Sequence, residues 1–349
     1  MMNKKTEIIR PGILNREIVI TDGLPGNGKS LFGASILPSL ERVEIYSYSE
    51  VLESICALNF LEKLDDHSSS EMIKLFLDRK LYEHMMSRKV NFRPSDLTSI
   101  FNYPDSEKYI KRLFEAGDSK IPDLVEVQRP ILNIQTHNIL PFSKPIWSAF
   151  GEKLTMLEIV RHPAFMFNQI FTSAVGDLVG NIRNWTVQIN TKYGPMPFNY
   201  LGMEDVFFNS NQFERTVLFI NSMMQKAEEF KLENKSTLSK LFTIPFEEFT
   251  LSPDKYIDEI CKLLGTKKTK YLDDQCSKAN IPRTKVTDMP DMEVYKQCGG
   301  WSENITQYSD REEIDMRVEI VRKNTSKEIF DIFIDDCKFY EDKYWTPSA

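Results

Sequence analysis

The segment GLPGNGKS, from Gly23 to Ser30, combines residue types and a spacing that are typical of a phosphate-binding loop. It fits the pattern G-x-x-x-x-G-K-[ST], follows a β-branched apolar run and precedes a stretch with helical apolar spacing. Glycines let successive backbone N–H groups curl around a phosphate, and the N-terminus of the next helix adds partial positive charge. Lys29 could neutralise a phosphate or a transferring group, while Ser30 could bond the same oxygens or hold Mg²⁺. The loop alone is compatible with kinases, NTPases and sulfuryl transferases.

Two further polar side chains follow predicted strands. His137 ends the segment ILNIQTH at residues 131–137, and Arg161 directly follows the apolar run of residues 153–160. Because the carboxyl ends of parallel strands meet at one edge of a sheet, both side chains are expected near the glycine loop. At that edge His137 is a candidate catalytic residue, and Arg161 is a candidate ligand contact.

A kinase or NTPase also needs a carboxylate for Mg²⁺, and the sequence offers two poor candidates. IFDIFIDD at residues 329–336 looks like a strand ending in Asp. However, Phe330, Phe333 and Ile334 recur at helical spacing, which favours an amphipathic helix. Glu158 lies within a predicted strand, not at its end. No metal site is therefore predicted, and the 5 cysteines, without a C-x-x-C pair, argue against a zinc site or a disulfide framework.

The elements that must position these residues alternate along the chain. Strands are predicted at residues 17–22, 43–48, 131–137, 153–160 and 240–249. Helices are predicted at residues 213–234, at residues 252–265 and at the C-terminal end, with residues 266–312 irregular. This alternation predicts an α/β fold of the P-loop NTPase-like kind, with a central parallel sheet and helices on both faces. Residues 65–118 are expected to form a helical insertion within a single domain, residues 1–349.

Composition argues against several classes of partner. The formal net charge of −7 does not suggest a nucleic-acid or polyanion binder. With 41% hydrophobic and 11% aromatic residues, 349 residues can bury a sizeable core. No run approaches the roughly 20 apolar residues of a membrane helix, and MMNKKTEIIRPG lacks the apolar core of a signal peptide. We therefore expect a cytoplasmic protein with neither nucleic acid nor a membrane as its partner.

Several stretches resemble the sulfotransferases that use 3′-phosphoadenosine-5′-phosphosulfate (PAPS), in the motif order of the cytosolic-type members. The loop of that family, P-[KR]-S-G-[ST]-[ST], corresponds to PGNGKS at residues 25–30. Its T-H-x-P and R-[ND]-P stretches correspond to TH at residues 136–137 and RHP at residues 161–163. Further on, FTIPFEEF at residues 242–249 resembles the strand that ends in Y-E-D-[LM], and GGWSENIT at residues 299–306 resembles G-D-W-x-N-x-[FL]-T.

The resemblance implies transfer of a sulfuryl group from PAPS to a hydroxyl or amine, with 3′-phosphoadenosine-5′-phosphate (PAP) as the product and no metal. His137 would act as the general base, and Lys29 would stabilise charge on the transferring group. Arg161 and Lys296 would bind the 3′-phosphate, and Phe246 would pack on adenine. The donor site implied in this way comprises Pro25, Gly26, Asn27, Gly28, Lys29, Ser30, Leu31, Arg161, Gln169, Phe246, Lys296 and Gly299.

Two other functions remain open from the sequence. A nucleotide-dependent kinase or NTPase matches the glycine loop more literally. A member that binds nucleotide without catalysis is the third possibility, because four positions lack basic residues of the family, namely Gly26, Gln135, Val294 and Tyr295. If the base is not His137, Glu50 or Glu53 beyond the second predicted strand is the alternative. The sequence predicts neither which small molecule or carbohydrate is the acceptor nor the oligomeric state. Trp185, Tyr193 and Tyr200 are candidates to line the acceptor pocket.

Overall fold

A central sheet of parallel strands organises the chain, of which the computed structural model describes residues 6–115, 117–175, 182, 184–288 and 308–347. The strands are β1 Glu17–Asp22, β2 Ser47–Tyr48, β3 Ile131–Gln135, β4 Leu154–Val160, β5 Gln188–Thr191, β6 Gly194–Pro197 and β7 Leu241–Pro245. Five of them form the sheet in the order β2-β3-β1-β4-β7, while β5 and β6 form a separate antiparallel hairpin. The strand that leads into the glycine loop therefore lies at the centre of the sheet.

Helices follow the strands and connect them. After the glycine loop, α1 Lys29–Leu31 continues into a π-helical turn, Phe32–Ile36, and a 3₁₀ turn, Leu37–Ser39. The remaining helices are α2 Glu50–Phe60, α3 Asp66–Met85, α4 Ser106–Arg112, α5 Ile121–Gln128, α6 Lys144–Phe150, α7 Pro163–Gln169, α8 Glu204–Asn209, α9 Gln212–Glu233, α10 Phe246–Leu251, α11 Asp254–Leu263, α12 Leu272–Lys278, α13 Asp310–Asn324 and α14 Lys327–Lys343. None of the helices in the described ranges combines the length and apolar character of a membrane span.

Both faces of the sheet are covered by helices. Ile18 and Ile20 of β1 are buried in a core shared with α2, α3, α6, α7, α9 and α14. Val19 between them points into the opposite core, which it shares with α1, α10 and α11. Successive strand side chains alternate between faces, so a strand that is apolar at every position is buried on both. The predicted α/β fold with a parallel sheet between helical layers is confirmed.

The segment 65–118 is helical, and its first helix belongs to the main core. Ile73 and Leu77 of α3 are buried against the same core as Ile20. The short α4 is held against the segment that precedes β2 by the buried carboxylate of Glu44, which pairs with Lys108 at 2.8 Å and with Arg112 at 2.7 Å. This segment therefore contributes to the core that supports the sheet.

The strand predicted at residues 131–137 ends at Gln135, and two other predicted strands are much shorter in the structure. Of residues 43–48 only Ser47 and Tyr48 form a strand, with Val43 bridged singly to Ile131. The reason is a competing partner, because the backbone N of Ile45 donates to the hydroxyl of Tyr109 on α4 at 2.6 Å instead of to a neighbouring strand. The prediction for residues 240–249 was wrong beyond residue 245, where the chain turns into α10.

The C-terminal part contains more helix than the sequence indicated. Residues 266–312, predicted to be irregular, include α12 and the start of α13. The single predicted terminal helix is two helices, α13 and α14. The helical interpretation of residues 329–336 is confirmed, because they lie within α14 and not in a strand that ends in Asp.

Candidate active site

The glycine loop leaves the centre of the sheet after Asp22 and turns into α1. Gly26 and Gly28 have φ values of +83° and +87°, a left-handed conformation that residues with side chains rarely adopt. Asn27 between them is fully buried; its Oδ1 accepts from the backbone N of Lys29 at 3.1 Å, and its Nδ2 donates to the carbonyl oxygen of Ile159. The loop is thus tied to β4 and keeps its curved shape.

Phe246 and Arg161, predicted from the resemblance as donor ligands, both contact this loop. The ring of Phe246 lies against Gly28 so closely that a Cβ at Gly28 would overlap it. The Arg161 guanidinium lies over the same ring, 4.6 Å from its centroid, and Nη1 donates to the carbonyl oxygen of Gly26 at 2.7 Å. Nε of Arg161 is buried without a hydrogen-bond partner, and Glu247 Oε1 lies 3.7 Å from it.

Lys29 begins α1 and is buried at the base of the loop, with 4% of its surface exposed. Its Nζ donates to the carbonyl oxygen of Leu24 at 3.0 Å. Burial lowers the pKa of Lys29 to about 8, against the opposing effect of the carboxylates of Asp22 and Glu53. The amine is therefore still mostly protonated at neutral pH, but it loses its charge at a lower pH than an ordinary lysine.

His137 follows β3 and is held by a carboxylate from α2. Oε1 of Glu53 accepts from the backbone N of His137 at 2.7 Å and lies 3.1 Å from its Nδ1. An ionised carboxylate only accepts, so Nδ1 carries the proton and Nε2 is the basic nitrogen. The imidazole also stacks on Tyr48, with 5.4 Å between ring centroids. Because 39% of its side chain is exposed, the imidazole is accessible to a substrate.

Asp22, at the carboxyl end of β1, shapes the turn that carries His137. Its carboxylate accepts from Oγ1 of Thr136 at 2.8 Å and from the backbone N atoms of Ile139 and Leu140 at 3.0 and 2.9 Å. The turn after β3 is thereby fixed to the strand that starts the glycine loop. Gln135 makes a second link, since its Nε2 donates to Oγ of Ser30 at 3.4 Å.

The other carboxylates near the loop have protein partners. Glu158 of β4 pairs with Lys231 at 3.0 Å and accepts from Oγ1 of Thr243. Glu247 accepts from the hydroxyl of Tyr340. Within the described residues, no three His, Cys, Asp or Glu side chains are grouped so that they could hold a metal ion.

The remaining residues of the predicted donor site are distributed as follows. Pro25 is half-buried in the loop, and Leu31 is buried in α1. Gln169 ends α7 close to Gly26, where a Cβ on the glycine would lie 3.2 Å from the Gln169 Cβ. Lys296 and Gly299 lie outside the described residues.

Sequence reasoning placed His137, Lys29 and Arg161 at one edge, where the structure also has them, but it missed two carboxylates. Asp22 is the last residue of a predicted strand and precedes the glycine loop directly, which was the available signal. Nothing in the sequence distinguished Glu247 from the neighbouring Glu248 as a residue of the site. Of the aromatic residues considered for an acceptor pocket, Trp185 is 75% exposed, whereas Tyr200 is 2% exposed and packs in the main core.

Comparisons with known proteins add little to this geometry. No family model matches the chain, and no curated protein matches it. Among solved structures, the sulfotransferase domain of the Synechococcus PCC 7002 olefin synthase is 14% identical, with a TM-score of 0.42 over 96% of this chain and 98% of that chain. The sulfotransferase domain from the curacin biosynthetic pathway is 11% identical, with a TM-score of 0.35 over 90% and 99% of the two chains.

Similarity at this level does not assign the chain to a family, and function resides in a site and not in a fold. The cytosolic-type assignment therefore stays a prediction from sequence.

Proposed function

We propose that this protein is a sulfotransferase that moves a sulfuryl group from PAPS to a hydroxyl or amine of its acceptor. One observation carries the proposal: at a single edge of the sheet, a glycine loop with a buried lysine meets a histidine whose Nδ1 is bound by Glu53. A phosphate-binding loop supplies a donor site, and an oriented imidazole supplies a base. The order of the sequence motifs supports the same reaction.

The residues present fit the two charged ends of the donor. Gly26 and Gly28 provide a left-handed curve of backbone, followed by Lys29 at the start of α1, which suits the 5′-phosphosulfate. Arg161, whose guanidinium lies over the ring of Phe246, supplies a second cation, and its Nε is buried without a hydrogen-bond partner. A 3′-phosphate would use that donor, whereas ATP has no group that needs it.

The chain's own residues divide the work of the transfer. As the acceptor oxygen or nitrogen bonds to sulfur, the bond from sulfur to the 5′-phosphate oxygen breaks and its electron pair stays on the phosphate of PAP. His137 Nε2 takes the proton of the acceptor, and the Glu53 carboxylate stabilises the imidazolium that results. Lys29 and the N–H groups of the loop neutralise charge on the leaving phosphate.

Titration calorimetry with nucleotides tests the donor assignment. In the absence of Mg²⁺ we expect adenosine 3′,5′-bisphosphate to bind more tightly than adenosine 5′-phosphate, ADP or ATP, because Arg161 is matched to the 3′-phosphate. Arg161→Ala should remove the preference for the bisphosphate over the monophosphate. Tighter, Mg²⁺-dependent binding of ATP would refute the sulfotransferase and support the kinase or NTPase alternative.

Replacement of His137 separates an active enzyme from a nucleotide-binding protein without activity. His137→Ala should bind the bisphosphate like the parent and lose transfer by about a hundredfold to ten-thousandfold, the usual contribution of a general base. His67→Ala, at an exposed histidine on α3, is the matched control and should leave the rate unchanged. Full activity of His137→Ala would show that the base is another group.

A further inference from the structure

Glu247 is a fully buried carboxylate beside Arg161, the residue proposed to bind the 3′-phosphate. It lies in the first turn of α10, directly after Phe246, and none of its side chain is exposed. A buried carboxylate is costly unless a cation compensates its charge. Its Oε1 lies 3.7 Å from Nε of Arg161, and no other carboxylate in the described ranges pairs with that guanidinium. Glu247 and Arg161 therefore form one buried ion pair.

Two hydrogen-bond donors fix the Glu247 carboxylate at this distance. Oε1 accepts from the backbone N of His162 at 3.1 Å, and Oε2 accepts from the hydroxyl of Tyr340 on α14. Both donor residues are buried. The gap of 3.7 Å to Arg161 permits strong attraction, but it exceeds the limit of about 3.2 Å for an ordinary N–H···O hydrogen bond. Glu247 thus balances the charge of Arg161 without taking up its Nε proton.

A second arginine lies nearby but has its own counter-ion. The guanidinium groups of Arg161 and Arg317 each lie 5.3 Å from the centroid of the Phe165 ring. Nε of Arg317 donates to Oε1 of Glu313 on the same helix, α13, at 2.9 Å. Burial lowers the pKa of Arg161, and the Glu247 carboxylate opposes this effect. Glu247 is therefore the group that compensates the charge of Arg161.

We propose that Glu247 is an internal counter-ion that competes with the 3′-phosphate of the nucleotide for Arg161, and that Tyr340 limits this competition by holding the carboxylate back. The inference rests on the proposed function. PAPS and PAP carry the same 3′-phosphate, so a contact with this group that is equal in both holds the product as tightly as the donor. Competition from Glu247 weakens that hold and so favours release of PAP, while Arg161 still selects a nucleotide with a 3′-phosphate.

Titration calorimetry with adenosine 3′,5′-bisphosphate tests the competition, with adenosine 5′-phosphate as the reference. Glu247→Gln removes the charge and keeps both contacts, because the amide oxygen can accept from the backbone N of His162 and the amide nitrogen can donate to the Tyr340 hydroxyl. We expect the bisphosphate to bind at least about threefold more tightly, since a like charge beside its phosphate is gone, and the monophosphate to bind as in the parent. Glu248→Gln removes the same charge from a partly exposed neighbour, paired with Lys255 at 2.7 Å, and should change neither affinity.

The role of Tyr340 predicts a change in the opposite direction. Tyr340→Phe keeps the ring but removes the hydroxyl that binds Oε2 of Glu247. The carboxylate then lacks a donor, and a movement of less than about 1 Å would bring it within hydrogen-bond distance of Nε of Arg161. We expect the bisphosphate to bind at least about threefold more weakly. Tyr344→Phe, one turn later on α14, removes a hydroxyl that donates to Glu228 at 3.2 Å and should keep the parent affinity.

The opposite signs of the two effects distinguish competition from a purely structural role, which would weaken binding in both variants. A bisphosphate affinity that does not rise in Glu247→Gln, or does not fall in Tyr340→Phe, would overturn the inference. If Glu247→Gln does not fold, the result for Tyr340→Phe alone decides. A parent that binds the bisphosphate no more tightly than the monophosphate would overturn the proposed function together with this inference, whereas a parent preference that neither variant alters would overturn the inference alone.

Discussion

At the scale of single residues, Lys29 combines two opposing requirements. It must be charged to neutralise a leaving phosphate, yet it is buried, which lowers its pKa to about 8. Asp22 and Glu53 partly compensate for this burial. Asp22 also fixes the turn that carries His137, and Glu53 binds Nδ1 of His137. Both proposed functional groups, Lys29 and His137, therefore depend on the same two carboxylates.

The charge of Lys29 should set the alkaline limit of activity. As pH rises through about 8 the amine loses its proton and the rate should fall. Between about pH 8 and pH 10.5 the unfolded chain binds more protons at this residue than the folded chain, so its contribution to stability increases with pH and unfolding does not explain the loss. Lys29→Arg should move the limit upward in a pH–rate profile, and Lys29→Ala should lower turnover by about tenfold to a thousandfold at pH 7. A parent rate that stays flat to pH 10 would exclude this role.

Glu53 should act through His137 and not on the acceptor itself. Glu53→Gln keeps an oxygen that can accept from Nδ1 but removes the negative charge that stabilises the imidazolium. The turnover number should fall while binding of the bisphosphate nucleotide stays unchanged, because a neutral amide stabilises the imidazolium formed during transfer less than a carboxylate does. Glu50→Gln on the same helix is the control. An unchanged turnover number in Glu53→Gln would mean that the carboxylate has a structural role only.

At the scale of elements, the glycine loop is shaped by what packs on it. Gly28 needs positive φ and also lies under the ring of Phe246, so two separate constraints exclude a side chain there. Phe246 in turn stands at the junction of β7 and α10, where Pro245 ends the strand. The loop therefore depends on an element more than 200 residues later in the chain.

A pair of glycine variants separates these two constraints. Gly28→Ala and Gly202→Ala both place a side chain at a φ of +87°, but only the first meets the Phe246 ring, whereas Gly202 faces open space. Gly202→Ala should cost about 1 to 2 kcal/mol in urea denaturation, with nucleotide binding intact. Gly28→Ala should cost more and weaken binding of the bisphosphate nucleotide by at least about tenfold. Equal effects of the two changes on binding would argue that the ring contact is irrelevant to the loop.

At the scale of the whole molecule, a buried ion-pair cluster joins α4 to the segment that precedes β2. Glu44 is 1% exposed, and burial alone would raise its pKa, but Lys108 and Arg112 hold the pKa of Glu44 well below its usual range. The folded-state pKa is lowered, so the stabilisation is present above the ordinary glutamate range and is lost as pH falls toward the folded-state value. The cluster thus contributes to sensitivity toward acid.

Removal of Glu44 should therefore be strongly destabilising. Glu44→Ala leaves two cations without their carboxylate, and we expect the free energy of unfolding to fall by about 3 to 5 kcal/mol. Glu107→Ala removes an exposed ion pair on the same helix, in which the Glu107 carboxylate lies 3.4 Å from Nζ of Lys111. This change should alter the free energy of unfolding by less than about 1 kcal/mol. Denaturant titrations at pH 7 and pH 4 provide the comparison. If Glu44→Ala loses as much stability on acidification as the parent, this cluster is not a source of acid sensitivity.

Local pattern was sufficient for a large part of the architecture. The β1 run, the glycine spacing and the long amphipathic helix α9 lie close to their predicted bounds, because strand alternation, left-handed glycines and helical periodicity are properties of short segments. The edge at which His137, Lys29 and Arg161 meet followed from one general rule, that parallel strands present their carboxyl ends together.

Contacts between distant residues account for what the pattern did not show. The second strand is short because a tyrosine from α4 takes the backbone N–H of Ile45, and Glu53 reaches His137 from a helix 84 positions earlier in the chain. A pocket beside the glycine loop likewise depends on α9 and α14 meeting opposite the turn after β3. Hydrophobic periodicity records that a residue is buried but not which distant residue it faces, so these pairings exist only in the folded chain.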